Sequence, residues 1–230
     1  MVKNIFLASS FADVSGYFQT TEQTLSPGQT VTFIPTASTV EPIDFFVDAA
    51  IDQFQEMGLN LDILDISKES KETIFHSIKS NEYIYISGGN TFYLLQELKK
   101  KEIDKVIIDQ IQSGKVYIGE SAGSMILSPN IEYVKDMDDS TLAEDLQSYD
   151  ALDVIPFYPL PHYTNDPFIE INETILQKFS DAIPLFPFTN TQAIRVKNEK
   201  IHLFDETHPQ GVHVESTIKI HDGEIPNLSW

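Results

Sequence analysis

The segment KVYIGESAGSMIL, residues 115–127, constrains the fold more than any other. A short apolar run ends in Gly119-Glu120-Ser121-Ala122-Gly123, and small residues lead from there into a second apolar stretch. Gly-x-Ser-x-Gly in that setting predicts a strand that turns abruptly into a helix. The serine then sits exposed at the corner, and the flanking glycines relieve crowding around it. The alternative is an ordinary serine in a tight turn, so the rest of the chain has to supply partners.

The remainder of the first half repeats strand and helix. Residues 2–8 and 31–35 read as strands. Residues 42–57 read as a helix, with Phe46, Ala50, Phe54 and Met57 on one face and Gly58 as its stop. Strands follow at 59–64, at 83–86 (YIYI, apolar throughout, as an inner parallel strand would be) and at 116–118. Residues 90–111 read as two helical pieces broken near the lysines 99–101. This alternation predicts an α/β fold with a doubly wound, mostly parallel sheet, in a single domain over residues 1–230.

The second half is less regular. Residues 130–153 are acidic and aperiodic and read as a surface excursion. Asp166-Pro167 reads as a helix start, N-cap acceptor followed by proline, with Phe168, Ile171, Ile175 and Phe179 as a buried stripe. Alternation at 194–198 and 214–220 predicts a small antiparallel extension of the sheet.

A serine nucleophile needs an oxyanion hole and a base. The N–H of Ala122 follows the serine and can face a developing oxyanion, with the first turn of the next helix adding a positive field. ISGGNTFYLLQEL, 86–98, follows the YIYI strand. Its Gly88-Gly89 can bring bare backbone to a substrate carbonyl, and Asn90-Thr91 can cap the helix beyond. In a doubly wound sheet both loops leave the carboxyl ends of strands, where such folds bind ligands. Among the histidines, His162 in LPHYTNDPF has the most distinctive setting, stiffened by Pro159 and Pro161. It can take the serine proton and return it to a leaving amine. His208 and His213, flanking a turn at Gly211, are its rivals. HVE at 213–215 and HPQGVH at 208–213 are too ordinary to specify zinc.

Composition narrows the partners. With 35 acidic against 15 basic residues the net charge is -20, which repels nucleic acids and anionic membranes. The chain has no cysteine, which excludes thiolate catalysis and disulfides. No apolar run reaches the roughly 18 residues of a spanning helix. The opening MVKNIFLASS is too short in its apolar part for a secretory leader, so a cytoplasmic protein is expected. No nucleic-acid or membrane partner is expected, and a homodimer is allowed.

Taken in order, NIFLASSF at 4–11, TFIPTAS at 32–38, YISGGNTFYLL at 85–95, GESAGSM at 119–125, PHYTNDPF at 161–168 and TNTQAI at 189–194 resemble the peptidase E family of serine peptidases, which includes cyanophycinase relatives. The resemblance implies a class I glutamine amidotransferase-like fold. It implies Ser121 as nucleophile, His162 as base and backbone N–H groups at Gly89 and Ala122 as the oxyanion hole. It implies removal of an N-terminal aspartate from small peptides, without metal or organic cofactor. Gly88, Asn90 and Glu120 then fall beside the substrate, Glu120 as a partner for its free α-amine. Two departures stand out. Where the family generally has a carboxylate to orient the histidine, this chain has Asn190, with Asp153 and Asp166 as substitutes elsewhere. An amide orients imidazole but adds no full charge. The chain also has a single arginine, Arg195, to receive a substrate aspartate, and its strand context holds it away from such a site.

Overall fold

The segments predicted as inner strands form the middle of one eight-stranded sheet in the computed structural model, which describes residues 3–214. The chain runs through β1 (Asn4–Ala8), α1 (Phe11–Thr21), β2 (Thr30–Ile34), α2 (Phe45–Glu56), β3 (Asn60–Ile63), α3 (Lys71–Ser80), β4 (Tyr83–Ile86), α4 (Thr91–Lys100), α5 (Ile103–Gln112), β5 (Val116–Glu120) and the short α6 (Ala122–Met125). An irregular stretch leads to β6 (Tyr158–Leu160), α7 (Ile169–Phe179), β7 (Leu185–Pro187), β8 (Ala193–Lys197), β9 (Lys200–Phe204) and β10 (Val212–Val214). The strand order is β10-β9-β8-β1-β5-β4-β2-β3, and β6 and β7 form a separate pair. Strands β1, β5, β4, β2 and β3 are mutually parallel, while β8, β9 and β10 extend the sheet antiparallel from β1.

The apolar inner strands have two faces to bury, and helices cover both. Tyr83 and Tyr85 of β4 pack with Phe11, Phe18 and Phe54 of α1 and α2; Ile84 and Ile86 pack with residues of α3, α4 and α5. Period-two alternation of side chains sends neighbours to opposite cores. The first core is largely aromatic: Phe11 stacks on Phe54 at 4.5 Å, and Phe33 lies 4.5 Å from Tyr85. This is the expected doubly wound sheet with its antiparallel extension.

Several boundaries differ from the sequence expectation. Helix α2 begins at Phe45, so Pro42 and Ile43 lie in the preceding loop, and Phe45 is 72% exposed. Helix α7 begins at Ile169, not at Asp166. The Asn165 N–H bonds to His162 O and the Phe168 N–H to Asn165 O, which closes a turn containing the cis Asp166–Pro167 peptide ahead of the helix. Phe168 leaves the expected buried stripe and stacks on His162 instead. Helices α1 and α3 were not expected from periodicity. In α3, the Ser70 side chain accepts from the Thr73 N–H and Ile74 and Ile78 face the core. The excursion at 130–153 is irregular as expected, yet it buries Ile131, Tyr133, Val134 and Leu152. Val2, the alternation at 215–220 and His221 lie outside the described residues.

Candidate active site

Three adjacent strands, β1, β5 and β4, end at the same edge of the sheet, and their exit loops meet there. Ser121 leaves β5 with φ 47° and ψ -106°, a left-handed conformation that costs a non-glycine residue energy. Its N–H donates to Ala8 O at 2.9 Å, which pins the corner to the end of β1. At Gly123 a side chain is excluded by contact: a Cβ there would lie 2.2 Å from Ile86 O. The sharp strand-to-helix corner expected from GESAG is therefore present. The helix after it has only 4 residues, so the expected helix field is small and individual N–H groups carry the local electrostatics.

His162 follows β6, itself with φ 61°. Its Nε2 lies 3.0 Å from Ser121 Oγ and its Nδ1 lies 2.8 Å from Asn190 Oδ1. A carbonyl oxygen only accepts, so Nδ1 carries the ring proton and Nε2 presents its lone pair to the serine hydroxyl. The ring stacks on Phe168 at 4.6 Å and 20°. Its main-chain N–H donates to Ser9 Oγ at 3.0 Å, and Ser9 donates onward to Phe188 O. Asn165 ties base to orienter: its N–H donates to His162 O, and its Oδ1 accepts the Asn190 N–H at 2.9 Å. Burial pushes the His162 pKa below the ordinary histidine value, and the Asn190 hydrogen bond works against that shift. A neutral imidazole at neutral pH is the form that can accept a proton.

The rivals lie elsewhere. His208 is bonded to Asp205 in the turn between β9 and β10, and His213 faces Ile201 O across those strands, at the far side of the sheet extension. Asp153 lines a cavity of about 420 Å³ with Lys3, Val196 and Glu199. Asp166 is exposed, and the partner of His162 Nδ1 is Asn190.

Gly89 has φ 123°, and a Cβ on it would strike the Ala37 carbonyl at 2.3 Å, so only glycine fits. Gly88 sits against the serine: a Cβ on it would lie 3.3 Å from Ser121 Cβ and 3.4 Å from the Phe46 ring. The Gly88 N–H is directed at Glu120 and the Asn90 N–H at Ala37 O. The Gly89 N–H has no acceptor among the described residues, and neither has that of Ala122 at the start of α6. Free donors thus flank Ser121 from two loops.

Two expected substrate contacts are corrected. Asn90 is fully buried: its Oδ1 caps α4 by accepting from the Tyr93 N–H at 2.9 Å, and its Nδ2 donates to Asp139 O. Glu120 is 2% exposed and turned inward, accepting from the Phe11 N–H at 2.7 Å and from the Tyr85 hydroxyl. Strand alternation sends Glu120 to the α1 and α2 face, so it meets no α-amine. Arg195 is likewise buried, donating to Asn4 Oδ1 and Thr21 Oγ1 and paired with Glu22. Ser9 and Asn165, and Phe168 beyond its expected place in a helix stripe, carry no site signal in the sequence alone, although each lies inside a segment that carried the resemblance. Among the described residues no three His, Asp or Glu side chains converge as metal ligands, and no helix is long and apolar enough to cross a membrane.

With this geometry in place, comparison with known proteins is specific. The sequence profile of Peptidase family S51 matches residues 5–204. An uncharacterized peptidase of Listeria innocua is 46% identical over 200 residues, 87% of this chain and 95% of its own. Peptidase E of Nostoc is 32% identical over 158 residues, 68% of this chain and 62% of its own. The crystal structure of a peptidase E-type protein from Listeria monocytogenes superposes with a TM-score of 0.86 at 45% identity, covering 89% of this chain and 99% of that one.

Proposed function

This chain belongs to peptidase family S51, and on that premise we propose that it is a serine peptidase acting on small peptides through an acyl-enzyme on Ser121. The observation that carries the reading is the Ser121 Oγ–His162 Nε2 distance of 3.0 Å with Asn190 2.8 Å behind the ring. In the proposed reaction His162 takes the hydroxyl proton as Oγ attacks the scissile carbonyl. The N–H groups of Gly89 and Ala122 receive the oxyanion, and Gly88 lies against the acyl group. The imidazolium returns the proton to the leaving amine, and water, activated by the same base, releases the acid.

An aspartate-selective pocket calls for a cation, and the single arginine is engaged with Glu22 inside the protein. The proposed substrates are therefore small peptides whose N-terminal residue is not restricted to aspartate. Asn190 supports a second reading, a catalytically weak member that binds small ligands, because an amide stabilises the imidazolium less than a carboxylate does.

A fluorophosphonate probe followed by mass spectrometry separates the two. Covalent mass on Ser121, absent from Ser121→Ala, is the expected result, and an unlabelled wild type would favour the binding reading. His162→Ala should slow labelling about 10²–10⁴-fold. A panel of dipeptides with acidic and neutral N-terminal residues then reads the side-chain preference.

A further inference from the structure

Glu120 does not reach substrate, yet its carboxylate stands where the segments leaving β1, β4 and β5 meet. It is the last residue of β5, between β1 and β4. Its oxygens accept from the Phe11 N–H at the start of α1 and from the Tyr85 hydroxyl, and the Gly88 N–H in the loop after β4 is directed at it. The next residue in the chain is Ser121 itself.

We infer that Glu120 is a positioning residue for the acyl-transfer site. Its carboxylate fixes the Gly88-Gly89 loop and the start of α1 against the Ser121 corner, and so keeps the Gly89 N–H where an oxyanion forms. This rests on the reading of Ser121 as nucleophile. Three observations support it. First, burial alone makes a carboxylate an expensive choice here and pushes its pKa up to about 7 against the three donors. An apolar side chain would join the surrounding aromatic core without that cost. Second, Gly88 packs closely against Ser121, so a loop released from Glu120 moves relative to the nucleophile. Third, the β1–α1 junction that Glu120 anchors through Phe11 also carries Ser9, the acceptor for the His162 N–H, and Ala8 at the end of β1, the acceptor for the Ser121 N–H. One carboxylate thereby connects the oxyanion loop, the nucleophile and the seat of the base.

Glu120→Gln tests this with nearly unchanged shape. An amide offers one acceptor oxygen where the carboxylate offers two. The Tyr85 hydroxyl can turn and accept from the new amide, and the Phe11 and Gly88 N–H groups are then left with one oxygen between them. Labelling by the fluorophosphonate should show a maximal inactivation rate lowered about 10–100-fold, the scale of a misplaced oxyanion donor. The probe's half-saturation constant should change by less than about twofold, because binding does not use Glu120. A folded Glu120→Gln protein that labels at the wild-type maximal rate would overturn the inference. The wild-type protein supplies a second measurement that does not depend on the variant folding: the Gly88 amide should exchange its hydrogen slowly. Fast exchange there would also overturn it. A wild type that is never labelled would strike the reading of Ser121 alone, and the Gly88 exchange would still decide whether Glu120 holds the loop.

Discussion

Asn190 holds His162 with a neutral oxygen, which fixes the ring but leaves the imidazolium without a counter-charge. Asn190→Asp would add that charge with little change of shape. The sign of the effect follows from linkage: a carboxylate beside the ring favours the charged imidazole, so the His162 pKa rises from its lowered value. The acid limb of the labelling rate should therefore move to higher pH, with a plateau equal to or above that of wild type, while Asn190→Ala slows labelling by at least about tenfold. Rates measured from pH 5 to 9 on all three proteins check this, and identical profiles would remove Asn190 from the site. Glu120 gives a second residue-scale expectation. Its carboxyl is raised from 4.5 to about 7 in the folded protein, so the native state holds a proton the unfolded chain has released between those values. Stability from this group falls as pH rises through that window and is flat above it. Relative to Glu120→Gln, the wild type should lose on the order of 3 kcal/mol over the window in urea unfolding.

At the scale of elements, the end of α1 is tied to β1 and β8 by one buried cluster. Arg195 on β8 donates to Asn4 on β1 and to Thr21, and pairs with Glu22 just past the helix. Arg195→Met would leave Glu22 buried without its cation and should cost about 3–5 kcal/mol in denaturant unfolding. The labelling rate of Ser121 should not change, which would confirm that this arginine serves structure. How much of this was legible in sequence depends on what each element answers to. YIYI and KVYIGESAG announce themselves because inner parallel strands are apolar on both faces and the corner needs its glycines. The break between α4 and α5 was visible at the lysines. Helix α1 was not, because Gly16 and several β-branched or polar residues blur its stripe of Phe11, Val14 and Phe18. Ser121, His162 and Asn190 could be named from their motifs. Whether Glu120 and Asn90 face the cleft or the core was not legible, since their side-chain directions are set by strand alternation and by a capping bond.

The whole molecule brings its chemistry together from distant parts of the chain: Ser121 after β5, His162 after β6 and Asn190 after β7, with Ser9 beneath the base. Strand β1 is the hinge of this arrangement, since Asn4 faces Val116 on one side and Lys197 on the other. Proteins truncated after β7 and before Asn190 should lack labelling at Ser121 although β5 is complete, because Asn190 and the antiparallel neighbour of β1 are then both missing. A series of chains released at successive lengths, each probed with the fluorophosphonate, checks this.

The same strand order acquires a meaning in time. During synthesis β1 is made well before its first partner, β5, which lies more than a hundred residues downstream. At a typical elongation rate that interval is on the order of 6 to 22 seconds. For that time Ile5, Phe6 and Leu7, all fully buried in the finished protein, have no sheet to join. The layout that gathers the site at one edge therefore obliges the cell to shield an apolar strand while the rest of the chain is being made.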